Sequence, residues 1–546
     1  MQPNDLEPSD RGVDVDVLIV GAGVTGIYQL YRALECGFSA EIVEAGSGVG
    51  GTWFWNRYPG ARFDSESYTY AYLFSQELFE EWEWSEHFAE QGETERYLNH
   101  VVDRFDLRRH IRFGTRVASA VWDEAGARWV VTFGDGSRRT ARHVVAATGV
   151  LSVPFYPDVE GREDFAGESY HTGLWPAEPV DLVDKRVAVI GTGSSGVQII
   201  PVIAPEVASL TVYQRSPNWC TPLNNSPITA AEQAELRANF EEMREVLNTS
   251  IAGFLHEPHD RNAFDDTDAQ RQAFFEKMWA SPGFSKMSSN YLDLLFDEAA
   301  NRAWCDFIEA KVRSIVTDPA KADKLVPTDH RYGEKRPPFV TDYYETFNDP
   351  KVSIVDLRAT PIVRVTETGI ETTEGLVELD VIIWATGFDF GTGALNRLGV
   401  VGRDGVALTE HWADGPTTFL GVQTSRFPNF YFPGGPHAAA GNNPRYNGDQ
   451  VDFVIDLLVH ARDHGFDVIE VGADAERRWT DMVDRGAVAA PFGEKSYFFG
   501  TNIAGKPVKY LLNSGGRPKL FKEIERVHNT DFAAFDFSTA AESSER

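Results

Sequence analysis

The sequence is poor in cysteine and has no long apolar run. Its three cysteines, Cys36, Cys220 and Cys305, are far apart and form no C-x-x-C pair. A disulfide framework, a thiol redox centre and a cysteine-based zinc site are therefore not expected. No run of about 18 apolar residues occurs, so we expect no membrane-spanning helix. The first 16 residues are acidic and lack the apolar core of a signal peptide, which predicts a cytoplasmic protein.

Positive charge is also scarce. The 51 lysines and arginines are outnumbered by 82 acidic residues, which gives a formal net charge of −31. Such a surface repels nucleic acid and anionic lipid, so neither is an expected partner. We expect a small-molecule substrate and a monomer or small homo-oligomer. Any cation that holds a phosphorylated cofactor should therefore be locally placed and identifiable.

Two βαβ patterns organise the chain, whose 546 residues exceed what a single hydrophobic core supports. The first comprises an apolar strand at Val15–Val20, a helical stretch at 23–34 and a strand at 39–44. The second comprises a strand at Arg186–Ile190, a helical stretch at 197–203 and a strand at 210–214. Two such units predict an α/β protein with two Rossmann-like dinucleotide-binding domains.

The first glycine motif, Gly21-x-Gly23-x-x-Gly26, follows the first strand directly. The first glycine permits the turn, the second lets backbone approach a pyrophosphate, and the third lets the helix pack on the strand. Glu44 ends the second strand and is placed to accept hydrogen bonds from ribose hydroxyls. Because its carboxylate would repel a 2′-phosphate, the motif predicts FAD or NAD at this site.

The second glycine motif, Gly191-Thr-Gly193-Ser-Ser-Gly196, follows the second unit's first strand. Here the next strand ends in Gln214-Arg215-Ser216, so that Arg215 stands where an NAD site carries an acid. A guanidinium suits a 2′-phosphate, which predicts NADPH. Two dinucleotide sites in one chain imply electron transfer, with FAD at one site and its reductant at the other.

The middle of the chain has a different character. Thr229-Ala-Ala-Glu232 is a capping box, and Leu236, Phe240, Met243 and Leu247 follow it at helical spacing. Helical pattern recurs around 291–315. We therefore predict an FAD-binding domain from 1–150 and 385–546, an NADP-binding domain from 151–226 and 330–384, and a helical insertion at 227–329.

A longer motif, Phe165-x-Gly167-x-x-x-His171-x-x-x-Trp175-Pro176, precedes the second unit. It resembles the fingerprint of the type I Baeyer–Villiger monooxygenases at every fixed position. The segment at 51–64, Gly51-Thr-Trp-Phe-Trp-Asn-Arg-Tyr-Pro-Gly-Ala-Arg-Phe-Asp64, resembles a second signature of that family. The resemblance extends over about residues 14 to 535. Phenylacetone, steroid and cyclohexanone monooxygenases belong to this family, and the stretch at 216–227 is most similar to members that act on bulky cyclic ketones.

The resemblance implies a reaction and a set of site residues. NADPH would reduce FAD, O₂ would form a C4a-peroxyflavin, and its attack on a ketone would give an ester or lactone, with sulfoxidation as a side activity. The step needs a fixed cation that stays charged in a dry pocket, which favours arginine. The resemblance assigns that role to Arg336 with Asp64 as its partner, and Lys335 complements Arg215 at the 2′-phosphate.

Further positions match the family more loosely. The resemblance implies that they line the cofactor sites. Tyr497 stands where the family often has a tryptophan beside the NADP ribose. The expected cofactor-binding residues beyond the glycines, Glu44 and the Arg336 pair are Trp53, Arg62, Tyr70, Thr192, Ser194, Ser195, Gln198, Arg215, Ser216, Lys335 and Tyr497.

Other functions are weighed against this one. A heteroatom-oxygenating flavin enzyme is disfavoured by Trp175-Pro176 and by the Arg336/Asp64 pair. A nucleotide-bound redox sensor or interaction protein remains an alternative that ketone-stimulated NADPH consumption would exclude. A disulfide reductase lacks its C-x-x-C, and no Gly-x-Ser-x-Gly element indicates a hydrolase. His256-x-x-His259 with Asp260 is interpreted as a solvated loop rather than a metal site.

Overall fold

A computed structural model describes residues 12–438, 441–488, 493, 496–513 and 515–543. The strands are β1 (Val15–Val20), β2 (Ala40–Val43), β3 (Ile111–Arg112), β4 (Val117–Asp123), β5 (Arg128–Phe133), β6 (Arg138–Ala146), β7 (Glu168–His171), β8 (Arg186–Ile190), β9 (Ser209–Gln214), β10 (Thr221–Pro222), β11 (Phe339–Val340), β12 (Val352–Asp356), β13 (Ile362–Thr366), β14 (Gly369–Thr372), β15 (Gly375–Glu378), β16 (Val381–Trp384), β17 (Val400–Val401), β18 (Phe430–Tyr431), β19 (Val468–Val471) and β20 (Phe535–Ser538).

The helices vary from one turn to 22 residues. They are α1 (Val24–Glu35), α2 (Thr52–Trp55), α3 (Ser67–Tyr70), α4 (Gln76–Glu81), α5 (Gln91–Arg104), α6 (Ser194–Ile203), α7 (Ala230–Ala238), α8 (Phe240–Thr249), α9 (Asp268–Ala280), α10 (Ser285–Ser288), α11 (Glu298–Ile315), α12 (Pro319–Leu325), α13 (Tyr343–Thr346), α14 (Gly393–Asn396), α15 (Leu408–His411), α16 (Asn443–His464), α17 (Ala473–Val488), α18 (Gly516–Asn529) and α19 (Ala540–Ser543). Short 3₁₀ turns lie at Arg108–His110, Arg162–Asp164, Thr172–Leu174, Ala263–Asp265, Arg403–Gly405 and Tyr497–Phe499.

The larger sheet is built on the first βαβ unit. Its strand order is β17-β4-β5-β6-β1-β2-β3, and β18 pairs with β6. The central strands β6, β1 and β2 run parallel, and β1 is buried almost throughout. Helices α1 and α16 pack together against this sheet and contribute to one apolar core. The carboxyl end of β1, where the first glycine motif begins, therefore lies at the centre of the sheet.

The second sheet has five parallel strands in the order β12-β9-β8-β16-β7. Its central strands β8 and β16 read as continuous apolar runs because both faces of the sheet are covered, one by helices and the other by the β13–β15 sheet. The helical segments of 227–329 share an apolar core with this sheet, in which Phe275, Trp304 and Ile308 pack with Val187 and Leu210. The sequence-based prediction of two Rossmann-like units with helices added is confirmed as an α/β fold.

The structure corrects several details of the prediction. Positions 236–247 form two helices that meet at Asn239 rather than one. Residues 291–297 form turns, and the helix begins at Glu298 with the Asp297 side chain as its cap. Helix α16 begins at Asn443, with Pro444 in its first turn, where a missing N–H costs nothing. No helix in the described ranges is long and apolar enough to cross a membrane.

Candidate active site

A cavity of about 530 Å³ lies at the carboxyl end of β1. Gly21 and Gly23 of the first glycine motif line it together with Glu44. Arg336, which comes from a distant loop, lines the same cavity. The predicted flavin site and the predicted catalytic cation therefore share one continuous space.

The first glycine loop has the geometry that a dinucleotide requires. Gly21 has a φ of +107°, and a Cβ there would lie 2.6 Å from the Ala147 carbonyl oxygen. Helix α1 begins after Gly23 without any side-chain cap, which leaves its first N–H groups to bind phosphate. The Glu44 carboxylate accepts from the N–H of Ala22 (2.8 Å) and of Gly46 (2.7 Å). It is thereby fixed at the cavity wall with lone pairs left for ribose hydroxyls.

The second glycine loop has the same construction. Helix α6 begins after Gly193, again without a side-chain cap, and Ser194 and Ser195 form its first turn. A Cβ added at Gly193 would meet nothing within 4 Å, so this face of the loop is open. At Gly196 an added Cβ would overlap the Gly191 carbonyl oxygen, because helix and strand approach closely there. The loop therefore fits a second dinucleotide.

Arg336 joins the two nucleotide units. Its Nη2 donates to both carboxylate oxygens of Asp64, at 2.5 and 2.6 Å. Its Nη1 donates to Ser194 Oγ in the second glycine loop at 3.4 Å. The two side chains of the ion pair are 25% and 13% exposed, respectively. The predicted pair thus forms, and it lies where a flavin on one loop and a nicotinamide on the other would meet.

The surroundings keep Arg336 charged and the nearby tyrosines Tyr497 and Tyr70 neutral. Burial acts to lower the pKa of Arg336, but the charge and hydrogen bonds of Asp64 outweigh it and hold that pKa above its ordinary value. Burial raises the pKa of Tyr497 to about 12, against the opposing effect of Arg336. Burial likewise raises the pKa of Tyr70 to about 12. The arrangement is a permanent cation in a weakly polar wall.

The helical insertion supplies a wall that the sequence-based interpretation missed. Phe254, Phe284 and Met287 line the cavity. The Phe284 ring lies 5.1 Å from Arg336 Cζ, close enough for a cation–π contact. These three apolar side chains are visible in the sequence, but nothing local indicates that they face Arg336. The insertion therefore forms one wall of the cavity.

The expected 2′-phosphate residues lie together after β9. Arg215 is exposed, and no ion pair involves it in the described part of the chain. Lys335 Nζ donates to Ser216 Oγ at 2.7 Å and lies 3.8 Å from Asp329. Burial acts to raise the pKa of Asp329, yet the hydrogen bond from His330 and the charge of Lys335 lower it. These groups form a positively charged site at the strand end, with Asp329 as an unpredicted counter-charge.

The other sequence-predicted residues fall on the two loops or the cavity wall. Trp53 Nε1 donates to Tyr70 Oη at 3.1 Å, and both line the cavity. Thr192 Oγ1 donates to Gln214 at 3.3 Å. Gln198 Nε2 donates to the Arg62 carbonyl at 2.9 Å.

Arg62 itself points away from that contact. Its guanidinium pairs with Glu86 at 3.1 Å and Glu90 at 2.7 Å. Its carbonyl, through Gln198, therefore ties the first unit to the second glycine loop. A role of its guanidinium in cofactor binding stays a prediction.

The fingerprint segment forms β7 and the turn after it. β7 pairs with β16, and Trp175 is buried. His171 Nδ1 accepts from the Gly173 N–H at 2.9 Å, and burial lowers the pKa of His171 to about 4. Gly173 and Leu174 line the cavity. A neutral histidine therefore fixes the turn that connects the second sheet to the cavity.

The interpretation of His256 as a solvated loop residue is wrong. Its side chain is 10% exposed, and its ring nitrogens contact Glu66 (2.6 Å) and Ser288 (2.7 Å). Glu66 follows the Asp64 segment, and Ser288 follows the Phe284 segment. His256 therefore holds the insertion against the flavin-side loop. No group of metal-ligating side chains is found among the described residues.

A family model described as pyridine nucleotide-disulphide oxidoreductase matches residues 18–285. This stretch contains both glycine motifs. The three cysteines are unpaired, with Cys220 and Cys305 buried, so no redox disulfide accompanies the match.

Characterised relatives match nearly the whole chain. A 2-oxo-Δ³-4,5,5-trimethylcyclopentenylacetyl-CoA monooxygenase from Pseudomonas putida is 40% identical over 96% of this chain and 98% of its own. Phenazine N-monooxygenase PhzNO1 from Lysobacter antibioticus is 40% identical over 95% of this chain and 96% of its own. A Baeyer–Villiger monooxygenase from Pseudooceanicola batsensis is 37% identical over 97% of this chain and 98% of its own.

A solved structure agrees with this likeness. The crystal structure of OTEMO in complex with FAD and NADP superimposes with a TM-score of 0.93 at 40% identity. The match covers 96% of this chain and all of that one.

Proposed function

Because the chain belongs to the Baeyer–Villiger monooxygenases, we propose that Arg336, held by Asp64, is the fixed cation of its ketone oxygenation. The enzyme uses FAD, NADPH and O₂ to insert one oxygen atom beside a ketone carbonyl, giving an ester or lactone. The observation that carries the assignment is the place of Arg336: in the cavity of the first glycine loop, in contact with the second.

The two loops and their neighbours fit the two cofactors. FAD is proposed to bind the first unit through Gly21, Gly23, Gly26 and Glu44. NADP is proposed to bind the second through residues 192–198, with Arg215, Ser216 and Lys335 at its 2′-phosphate. When bound, reduced flavin supplies the activation of O₂. On this basis residues 1–150 and 385–546 form the FAD domain, 151–226 and 330–384 the NADP domain, and 227–329 the insertion.

The protein's own groups bind, orient and exclude water. The Arg336 guanidinium places positive charge where negative charge develops beside the ketone, and its low-polarity surroundings strengthen that effect. Asp64 fixes the guanidinium in position. Phe254, Phe284 and Met287 give the ketone an apolar wall, which favours a cyclic or bulky ketone. We propose that the enzyme acts in the cytoplasm as a monomer or small homo-oligomer.

Oxygenation of a heteroatom is the second candidate. It is favoured by the relative named phenazine N-monooxygenase, which is as similar to this chain as the cyclopentenylacetyl-CoA enzyme. In aromatic N-oxidation the nitrogen lone pair attacks an electrophilic oxygen, so the reaction needs no carbonyl beside a cation. The Arg336–Asp64 pair therefore supports the ketone reaction, and a phenazine in the substrate panel tests the alternative.

The experiment separates the two half-reactions in Arg336→Ala. Reduction of the bound flavin by NADPH should persist at a rate within severalfold of the unmodified enzyme, because the flavin loop and Glu44 are untouched. Ketone oxygenation should fall by at least about 10²–10³, the usual cost of removing one preorganised stabilising group. Stopped-flow absorbance and lactone yield measure the two steps. Arg526→Gln, a change of an exposed arginine on α18, is the matched control. Lactone formation at a near-normal rate in Arg336→Ala would rule out the proposed role.

A further inference from the structure

A second cavity, of about 610 Å³, lies behind the flavin loop. Helices α1, α8, α16 and α18 enclose it with the segment 72–74. It is separate from the active-site cavity, but Val24, Thr25, Pro444 and Asn447 line both. Asn447 Nδ2 donates to Thr25 Oγ1 at 2.8 Å. One layer of side chains at the start of α1 and α16 therefore divides the two spaces, and we call this second space the arginine cavity.

Four arginines line the arginine cavity, and three of them have carboxylate partners. The pairs are Arg32–Asp452 at 2.8 Å, Arg517–Asp449 at 2.7 Å and Arg244–Glu241 at 2.6 Å. The fourth, Arg445, forms no ion pair within the described ranges of the chain. The residues that line the cavity comprise these four arginines and two carboxylates, Asp449 and Asp452, so positive charge exceeds negative charge in the lining of a protein whose net charge is −31.

Arg445 is buried without enough partners. It is 9% exposed, its Nη2 donates to the Ala71 carbonyl, and its Nε is buried with no hydrogen-bond acceptor. Burial, together with the nearby charge of Arg517, lowers the pKa of Arg445 to about 10, so it stays protonated at neutral pH. An unpaired buried charge is costly, and a bound anion would supply the missing partner.

Four aromatic side chains also line the arginine cavity: Tyr28, Tyr72, Phe74 and Phe521. Tyr28 and Phe74 stack at 5.2 Å, and Tyr72 lies 6.0 Å from Tyr28. On α18 the Phe521 ring lies 5.0 Å from Arg517 Cζ. Rings of this kind accept a flat or cyclic apolar body, whereas an inorganic anion would leave them unused.

We propose that the arginine cavity binds a small organic carboxylate, whose charged end pairs with Arg445 and whose ring-sized apolar body lies against the aromatic side chains. The site is independent of the ketone site. Because Thr25 and Asn447 face both spaces, occupancy should also change the surroundings of the bound flavin. The carboxylate would therefore act as an effector of the enzyme and not as the substrate that is oxygenated.

Benzoate is the probe, titrated into the FAD-bound enzyme and followed by calorimetry and by the flavin absorbance spectrum. We expect saturable one-to-one binding that shifts the spectrum, with benzyl alcohol binding at least about tenfold more weakly because it lacks the charge. Arg445→Gln should weaken benzoate binding by at least about tenfold, the value of one charge-assisted hydrogen bond. Arg526→Gln, on the exposed face of α18, should leave it unchanged.

Two variants keep the result decisive. Arg336→Gln tests whether benzoate occupies the active site instead. If Arg336→Gln loses benzoate binding and Arg445→Gln keeps it, the proposal is overturned. If Arg445→Gln does not fold, Asn248→Trp narrows the cavity from the exposed side of α8 and leaves Arg445 in place, at the cost of a weak acceptor for Arg517. It should weaken benzoate binding by at least about fivefold, and undiminished binding would overturn the proposal. Absence of benzoate binding to the unmodified enzyme would do so directly.

Discussion

Removal of the Asp64 carboxylate should disable Arg336 while leaving it in place. Both Asp64 oxygens accept from Arg336 Nη2, at 2.5 and 2.6 Å. Breaking a fully buried pair costs about 3–5 kcal/mol. Since a quarter of the Arg336 side chain is exposed, water screens part of the interaction, and about 1–3 kcal/mol is the better expectation.

The kinetic effect follows from that energy. Each 1.36 kcal/mol corresponds to a factor of ten in rate, so Asp64→Ala should slow ketone oxygenation about ten- to a hundredfold. Flavin reduction should change less, because the nucleotide loops do not depend on Asp64. The Asp64→Asn variant keeps the shape of the side chain and one acceptor but loses the charge. Its rate of ketone oxygenation should therefore lie between those of the unmodified enzyme and Asp64→Ala.

A double-mutant cycle with Arg336→Ala tests whether the two residues act as one unit. Oxygenation rates are measured by single-turnover kinetics in both single variants and in the double variant. The coupling energy should be about 1–3 kcal/mol, since Asp64 acts only through Arg336. Effects that add to within about 0.5 kcal/mol would show that Asp64 works independently and would refute the reasoning.

Two further predictions concern the cofactor and the fold. Arg215→Ala should lower the preference for NADPH over NADH about ten- to a hundredfold, since one charge-assisted hydrogen bond is worth roughly 1.5–3 kcal/mol. Steady-state kcat/KM with each cofactor measures this preference. Equal use of both cofactors by the unmodified enzyme would contradict the prediction. Burial lowers the pKa of Lys286 to about 7, so the folded protein penalises its charged form. Lys286→Met should therefore stabilise the protein most below pH 7, by roughly 2–4 kcal/mol, with the gain shrinking as pH rises from 7 towards 10.5, where the unfolded lysine also loses its proton. Urea unfolding across this range checks it, and a gain that does not change with pH would contradict it.

The two nucleotide units are predictable from the sequence because their geometry is local. A glycine that must adopt positive φ, a glycine that faces open space and a glycine pressed against a strand lie within six residues, as Gly191, Gly193 and Gly196 do. The residue that ends the next strand, an acid in one unit and a cation in the other, then indicates which of the two cofactors each unit binds. Such signals need no knowledge of distant contacts.

The cavity wall is not predictable in the same way. Phe284 reaches Arg336 from the helical insertion, and Glu66 meets His256 across 190 residues. A motif of two histidines in a loop cannot reveal that its partner follows Asp64. The surroundings of Arg445 are equally invisible in the sequence, because only the packing of α1, α8, α16 and α18 shows that no carboxylate of the described residues forms an ion pair with it.

The most direct test of the central claim is the fate of the oxygen atoms. The enzyme is supplied with NADPH, a panel of cyclic ketones and ¹⁸O₂, and the products are analysed by mass spectrometry. The account predicts a lactone that carries one ¹⁸O atom, with one NADPH consumed for each lactone formed. NADPH consumption that yields only hydrogen peroxide across the panel would contradict it, as would oxygenation of a phenazine and a thioether, tested in parallel, with no oxygenation of any ketone.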